Sequence, residues 1–213
     1  MATSRYPVQL EVDYPDRPLN RLTSAFRIFC VIPILIVLGA LAGSNGSATW
    51  SNGGETSTRS GATGVGLLFL APLLMILFRQ KYPRWWFDWN VNVLAFVNRV
   101  AAYAFLVTDV YPSTDEEQAV HLEVAYPDAK DGLNRWLPLV KWLLAIPHFI
   151  VLFFLYVGAV LAAIAAWFAI LVTGRLPRGL FDYLVGVARW SNRVTAYAFM
   201  LTTDEYPPFR LGA

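Results

Sequence analysis

The chain has 213 residues, of which 56% are hydrophobic and only 15% charged, with a formal net charge of +2. An average soluble domain carries roughly 25% charged residues, and here the deficit is concentrated: from Trp142 to Thr173 there is no Asp, Glu, Lys or Arg. These features exclude an ordinary soluble domain. The scattered basic residues exclude a nucleic-acid partner, which would require a basic face or stripe, and the single cysteine excludes an intrachain disulfide, so that Cys30, inside an apolar run, reads as a small buried hydrophobe.

In chain order, residues 1–27 alternate polar and apolar without the pattern of a cleaved secretory signal, so the first membrane helix is expected to serve as its own anchor. Val8–Val12 has the period-two alternation of a half-exposed strand. An amphipathic lead-in, Leu19–Arg27, runs into an apolar stretch, Ile28–Ala42. A second apolar stretch follows at Val65–Phe78, and the Gly/Ser/Thr/Asn-rich residues 43–64 between them predict a flexible loop. A third helical segment, Trp85–Val107, places Asp88, Asn92, Ala95 and Arg99 on one narrow polar face of an otherwise apolar surface, which suits a membrane interface.

The chain then begins again. Leu10-Glu11-Val12-Asp13-Tyr14-Pro15-Asp16 recurs as Leu122-Glu123-Val124-Ala125-Tyr126-Pro127-Asp128, Leu19-Asn20-Arg21 as Leu133-Asn134-Arg135, and Ile32-Pro33 as Ile146-Pro147. Phe87-Asp88 matches Phe181-Asp182, Asn98-Arg99-Val100 matches Asn192-Arg193-Val194, and each half closes on a Tyr-Pro, at Tyr111 and Tyr206. Such order predicts two tandem copies, residues 1–117 and 118–213. The offset falls from 114 (Asn20 to Asn134) to 94 (Phe87 to Phe181), so the first copy carries an insertion at residues 43–64. By this alignment the apolar run Trp142–Thr173 is expected to divide into two helices with a turn around Val157–Ala159, giving two membrane crossings per copy, with a hairpin that dips in without crossing as the alternative. Val120–Val124 is the second copy's strand and Leu180–Leu201 its interfacial helix, with Asp182, Gly186, Arg189 and Arg193 on the polar stripe. The two strands are expected to pair with each other or with the Tyr-Pro tails. Pro33 and Pro147 are expected to kink the first helix of each copy.

Basic residues flank both expected hairpins (Arg17, Arg21, Arg27, Arg79, Lys81 and Arg84; Lys130, Arg135, Lys141, Arg175 and Arg178), whereas the tips carry only Glu55 and Arg59. The positive-inside rule then puts both termini in the cytoplasm. The fold class expected is an all-α integral membrane protein of two tandem repeats. Each is a transmembrane helical hairpin plus an interfacial amphipathic helix, with short cytoplasmic β-strands and pseudo-twofold symmetry.

The motifs Leu-Glu-Val-x-Tyr-Pro-Asp, Leu-Asn-Arg, Ile-Pro-His-Phe-Ile-Val-Leu and Asn-Arg-Val-x-Ala-Tyr-Ala-Phe resemble a bacterial membrane-protein family, the domain of unknown function 4389, once per copy. The first copy departs from it at Ile34, where the second has His148, and in its long loop. The resemblance implies a bacterial multi-pass membrane protein, and it carries no activity and no catalytic residue across.

The sequence holds no phosphate-binding glycine loop, nucleophile elbow or paired-histidine zinc motif, so no catalytic residue, cofactor or metal is assigned. His121 falls on a strand, and His148, next to the kink, reads as structural. The recurring Asn-Arg pairs are the candidate lipid or partner contacts: Asn20 and Arg21, Asn98 and Arg99, Asn134 and Arg135, and Asn192 and Arg193. Asp88 and Asp182 join them as candidate contacts and as the ion-pair partners expected for the arginines. The expected function is a non-enzymatic membrane scaffold or accessory subunit that binds membrane lipids, anionic ones included, or partner membrane proteins. A transporter or channel with its site at the repeat interface, and an interfacial lipid-modifying enzyme, are the alternatives.

Overall fold

The computed structural model describes residues 6–15, 17–42, 48–52, 55–59, 64–114, 116, 118–130 and 132–212. It is mostly helical. Strand β1 (Val8–Val12) leads to a short helix α1 (Arg21–Ala25) and then α2 (Arg27–Ala42). Asn20 starts α1 by accepting the Leu22 amide at 2.9 Å, the bond expected of an N-cap asparagine. Two strands, β2 (Ala48–Asn52) and β3 (Glu55–Arg59), pair antiparallel between α2 and α3 (Gly64–Arg79). The segment expected to be a flexible loop therefore contains a pair of antiparallel strands. Residues 43–47, 53–54 and 60–63 lie outside the described set.

Helix α4 (Arg84–Ala104) is followed by strand β4 (Val120–Val124), a short α5 (Pro138–Leu144), α6 (Ile146–Thr173), α7 (Arg178–Thr195) and a π-helical turn at Ala196–Met200. The Leu19–Arg27 lead-in and the two strands thus stand where the sequence places them, and the third helical segments do too, ending at Ala104 and in the π turn at Met200. The division of Trp142–Thr173 does not. α6 runs unbroken through Val157, Gly158 and Ala159 for 28 residues. A lone glycine lowers helix propensity by only about 1 kcal/mol relative to alanine, and no proline or charged residue stands between His148 and Thr173. The second half therefore forms one long helix in place of a hairpin. α6 is long and apolar enough to cross a membrane, and is the one such helix among the described residues. Pro147 stands just after the break at Ala145 that separates α5 from α6. It sits in the first turn of α6, where its missing N–H has no helical partner to lose, whereas Pro33 is inside α2.

β1 pairs antiparallel with β4, and Leu10 faces Leu122. α7 packs along α6 in the opposite direction: Trp190 donates to His148 at 3.1 Å near the start of α6, and Tyr183 to the Leu155 carbonyl at 3.0 Å near its middle. α6 begins beside the π turn, where Tyr206 donates to the Leu144 carbonyl, and ends beside α1, where the Leu19 amide donates to the Gly174 carbonyl at 2.9 Å. α3 ends at the opposite place, with Tyr82 donating to the Met200 carbonyl at 2.8 Å. Each half's apolar helical stretch therefore starts at its own lead-in helix and finishes against the other half's.

Candidate functional site

The centre of the molecule is where α4 and α7 meet beneath the β1–β4 ribbon. Asn98 donates its amide to Asn192 Oδ1 at 2.9 Å, and Asn192 donates back to Asn98 Oδ1 at 2.7 Å. Each also donates to the carbonyl four residues earlier on its own helix, Leu94 and Ala188. Both side chains are buried, and the reciprocal bonds satisfy polar atoms that apolar surroundings would otherwise penalise. Around them lies a cavity of about 220 Å³, walled by Leu10, Val12 and Val120 of the ribbon, Ala101 and Phe105 of α4, Ala159 of α6 and Leu184 of α7. Its polar groups are the two asparagines with Tyr156, Ser191 and Thr195, and Tyr156 and Ser191 hydroxyls stand 2.5 Å apart.

Matched motif positions make matched contacts on either side of this centre. Tyr14 donates to the Leu176 carbonyl, meets Phe181 edge-on at 5.0 Å and lies under the Arg178 guanidinium at 4.3 Å. Tyr126 donates to the Tyr82 carbonyl, meets Phe87 edge-on at 5.1 Å and lies under Arg84 at 4.8 Å. The Tyr-Pro tyrosines of the repeated motif are thus clamps on the start of α7 and α4. Gly174 (φ 74°) and Gln80 (φ 47°) are matched left-handed turns before those helices.

A second matched set was not singled out by the sequence. Arg27 and Lys141 are basic residues at the same motif position, and both are buried, at 3% and 0% exposure. Lys141 pairs with Asp204 at 2.6 Å, donates to the Thr203 carbonyl at 2.7 Å and faces the Tyr197 ring at 5.2 Å. Burial pulls its ammonium below the ordinary lysine value, and Asp204 opposes that pull. Arg27 lies over the Tyr103 ring at 4.0 Å, but all three of its guanidinium nitrogens lack a hydrogen-bond partner. Asp109, the match of Asp204, is paired instead with Arg17 at 3.1 Å. The available signal was a basic residue and an aspartate recurring at matched motif positions, hidden because Arg27 and Lys141 looked like membrane-flanking charges.

The ten candidate contacts do not converge. Asn20 caps α1, and Asn134 accepts the Trp136 amide while its own N–H donates to Asp204. Arg21 and Arg135 are exposed at opposite ends of α6, donating to the carbonyls of Val172 and Leu77. Arg99 holds the Ser113 carbonyl at 3.0 Å, and Arg193 holds the carbonyls of Arg210 and Gly212, tying the tail to α7. Among the described residues Asp88 meets the neighbouring Arg84, at 3.9 Å, and Asp182 is exposed on α7. The expected pairing of these aspartates with the Asn-Arg arginines is not formed, because the arginines reach backbone carbonyls that loop ends leave open. Asn98 and Asn192 are the pair the structure brings together. His148 is buried, stacked on Phe209 at 4.0 Å and accepting from Trp190, and His121 stands 3.2 Å from Asp13 on the ribbon.

Residues 136–210 match the family model described as Domain of unknown function (DUF4389). No curated protein and no solved structure matches the chain.

Proposed function

We propose that the chain is a non-enzymatic integral membrane scaffold or accessory subunit, built from two tandem copies of one unit about a pseudo-twofold axis, that binds lipid headgroups or partner membrane proteins. The observation that carries this reading is apolar exposure. Ile28, Phe29 and Ile36 of α2, Trp142 and Leu143 of α5, and Phe153, Phe154, Leu161, Phe168 and Val172 of α6 are all solvent-facing. Contiguous apolar surface on this scale belongs against lipid or another protein. Arg21 and Arg135, exposed and tethered through one nitrogen each, keep guanidinium donors for phosphate headgroups. The membrane proposed is the bacterial cytoplasmic one, with the chain ends on its cytoplasmic side. In support of a shared side, Tyr6 donates to the Glu205 carbonyl at 3.1 Å, holding the two tails together.

Gentle native extraction of the tagged protein, with mass spectrometry of co-purifying proteins and lipids, tests this. A stoichiometric partner that survives stringent washing supports an accessory subunit. A preparation free of protein partners and of retained lipid overturns the reading.

The cavity around Asn98 and Asn192 favours one second reading, a carrier of a small, mostly apolar ligand at the repeat interface. Solute uptake into proteoliposomes that is lost in Asn98→Leu would promote it over the scaffold.

A further inference from the structure

α6 keeps an apolar exposed side along its whole length, from Phe149 through Phe153, Val157, Leu161 and Ile164 to Phe168, while Leu152, Ala159, Ala162, Ala166 and Ile170 are buried against the rest of the molecule. Which way this helix lies in a bilayer is decided by what stands beside its midpoint. Tyr183 reaches the Leu155 carbonyl and faces Gly158, so its neighbour Asp182, exposed on α7, is level with the middle of α6. Leu10 and Val120 of the ribbon pack in one cluster with Ala159, also at the middle, and the adjoining Glu11 and His121 are exposed. A helix standing across the membrane would carry these ionisable groups to the depth of the hydrocarbon centre, facing lipid, where such side chains are not found. At 28 residues α6 is also about 42 Å long, against a hydrocarbon core of about 30 Å.

We propose that α6 lies in the plane of the membrane and that the protein embeds in one leaflet, with a single lipid surface as the occupant of its apolar face. This rests on the membrane reading above and specifies how the molecule sits. The face is widened by α2 and α5, where Ile28, Phe29 and Ile36 occupy the motif positions of Trp142, Leu143 and Ile150, all exposed. A twofold axis along the membrane normal keeps both sets on one side. Exposed basic residues stand at both ends of α6, Arg21 and Arg175 at one and Lys130 and Arg135 at the other. In this orientation all of them reach the headgroups of the same leaflet, and the α4–α7 layer and the charged ribbon stay in water.

Single-cysteine labelling of the full chain in inside-out and right-side-out membrane vesicles, on a Cys30→Ala background, decides the matter. Arg175→Cys and Lys130→Cys, surface positions at opposite ends of α6, are expected to react with a membrane-impermeant maleimide from the same side. Asp182→Cys reacts from that side too, and Phe154→Cys and Leu161→Cys react only after detergent. Labelling of Arg175→Cys and Lys130→Cys from opposite sides overturns the proposal in favour of a spanning α6. Free labelling of Phe154→Cys in intact vesicles overturns it by removing lipid from the face. Loss of Leu161→Cys protection on stripping a co-purified protein does the same, by making a protein the occupant. Same-side labelling with no co-purifying partner or lipid would leave this inference standing while the scaffold reading fails.

Discussion

Asn98 and Asn192 occupy the same position in the two similar halves of the chain and hold each other through two amide hydrogen bonds, of 2.9 and 2.7 Å. An asparagine amide has one donor group and one acceptor, so it is self-complementary, and a twofold relation lets two copies satisfy one another without a third group. Leu10 opposite Leu122 marks the same relation in the ribbon above them.

Replacing one member leaves the other amide facing an apolar wall. Asn98→Leu or Asn192→Leu alone is expected to destabilise the fold by about 1–3 kcal/mol. The double variant is expected to cost less than the two singles together, with a coupling of at least about 0.5 kcal/mol. Denaturant unfolding in detergent of the four proteins reads this directly, and strict additivity would mean that the two amides do not act as a pair.

Tyr14 and Tyr126 each clamp a carbonyl at the start of a long helix. Tyr14→Phe and Tyr126→Phe should each lose about 1 kcal/mol, the usual net worth of such a bond. Being on opposite sides of the molecule with no shared partner, they should add in the double variant to within about 0.5 kcal/mol. Thermal unfolding of the set is the check.

The two buried basic residues should respond in opposite ways. Asp204→Asn strips the charge from the partner of a fully buried ammonium and is expected to cost about 3–5 kcal/mol. Arg27→Met removes a buried guanidinium whose burial outweighs the pull of the Tyr103 ring and of Asp109, and is expected to be neutral or stabilising. Melting temperatures of the two variants side by side test the contrast, and a large loss in Arg27→Met would count against it.

Gly158 is needed for contact rather than for a turn. A methyl group there would collide with the Tyr183 hydroxyl. Although alanine favours a helix by about 1 kcal/mol, Gly158→Ala is expected to destabilise by about 1–3 kcal/mol through overpacking. In Gly158→Ala combined with Tyr183→Phe most of that loss should be recovered, which unfolding measurements would show.

Local elements were legible in the sequence because they depend on near neighbours. The alternation in Val8–Val12 and Val120–Val124 and the polar stripes of α4 and α7 follow from period, and the structure has strands and helices in those places, whereas Asn20, expected as a contact residue, is a helix cap. The recurrence of motifs named Asn98 and Asn192 as counterparts, but pairing them needed two helices from distant parts of the chain to cross at those residues. The same limit explains the error at α6. An offset between two similar segments measures how many residues are inserted, not whether the shorter segment turns or continues as a helix. That choice was made by the α7 surface, which offers Tyr183 to Gly158 and keeps Leu152, Ala159, Ala162, Ala166 and Ile170 along one buried side. The inward placement of Arg27 and Lys141 was likewise invisible, because a charge beside an apolar run looks the same in sequence whether it faces a headgroup or the ring of Tyr103 or Tyr197. Composition determined how much apolar side chain this chain carries and where it is concentrated. Tertiary structure alone decided which of it stays exposed, since exposure is set by what the rest of the fold covers.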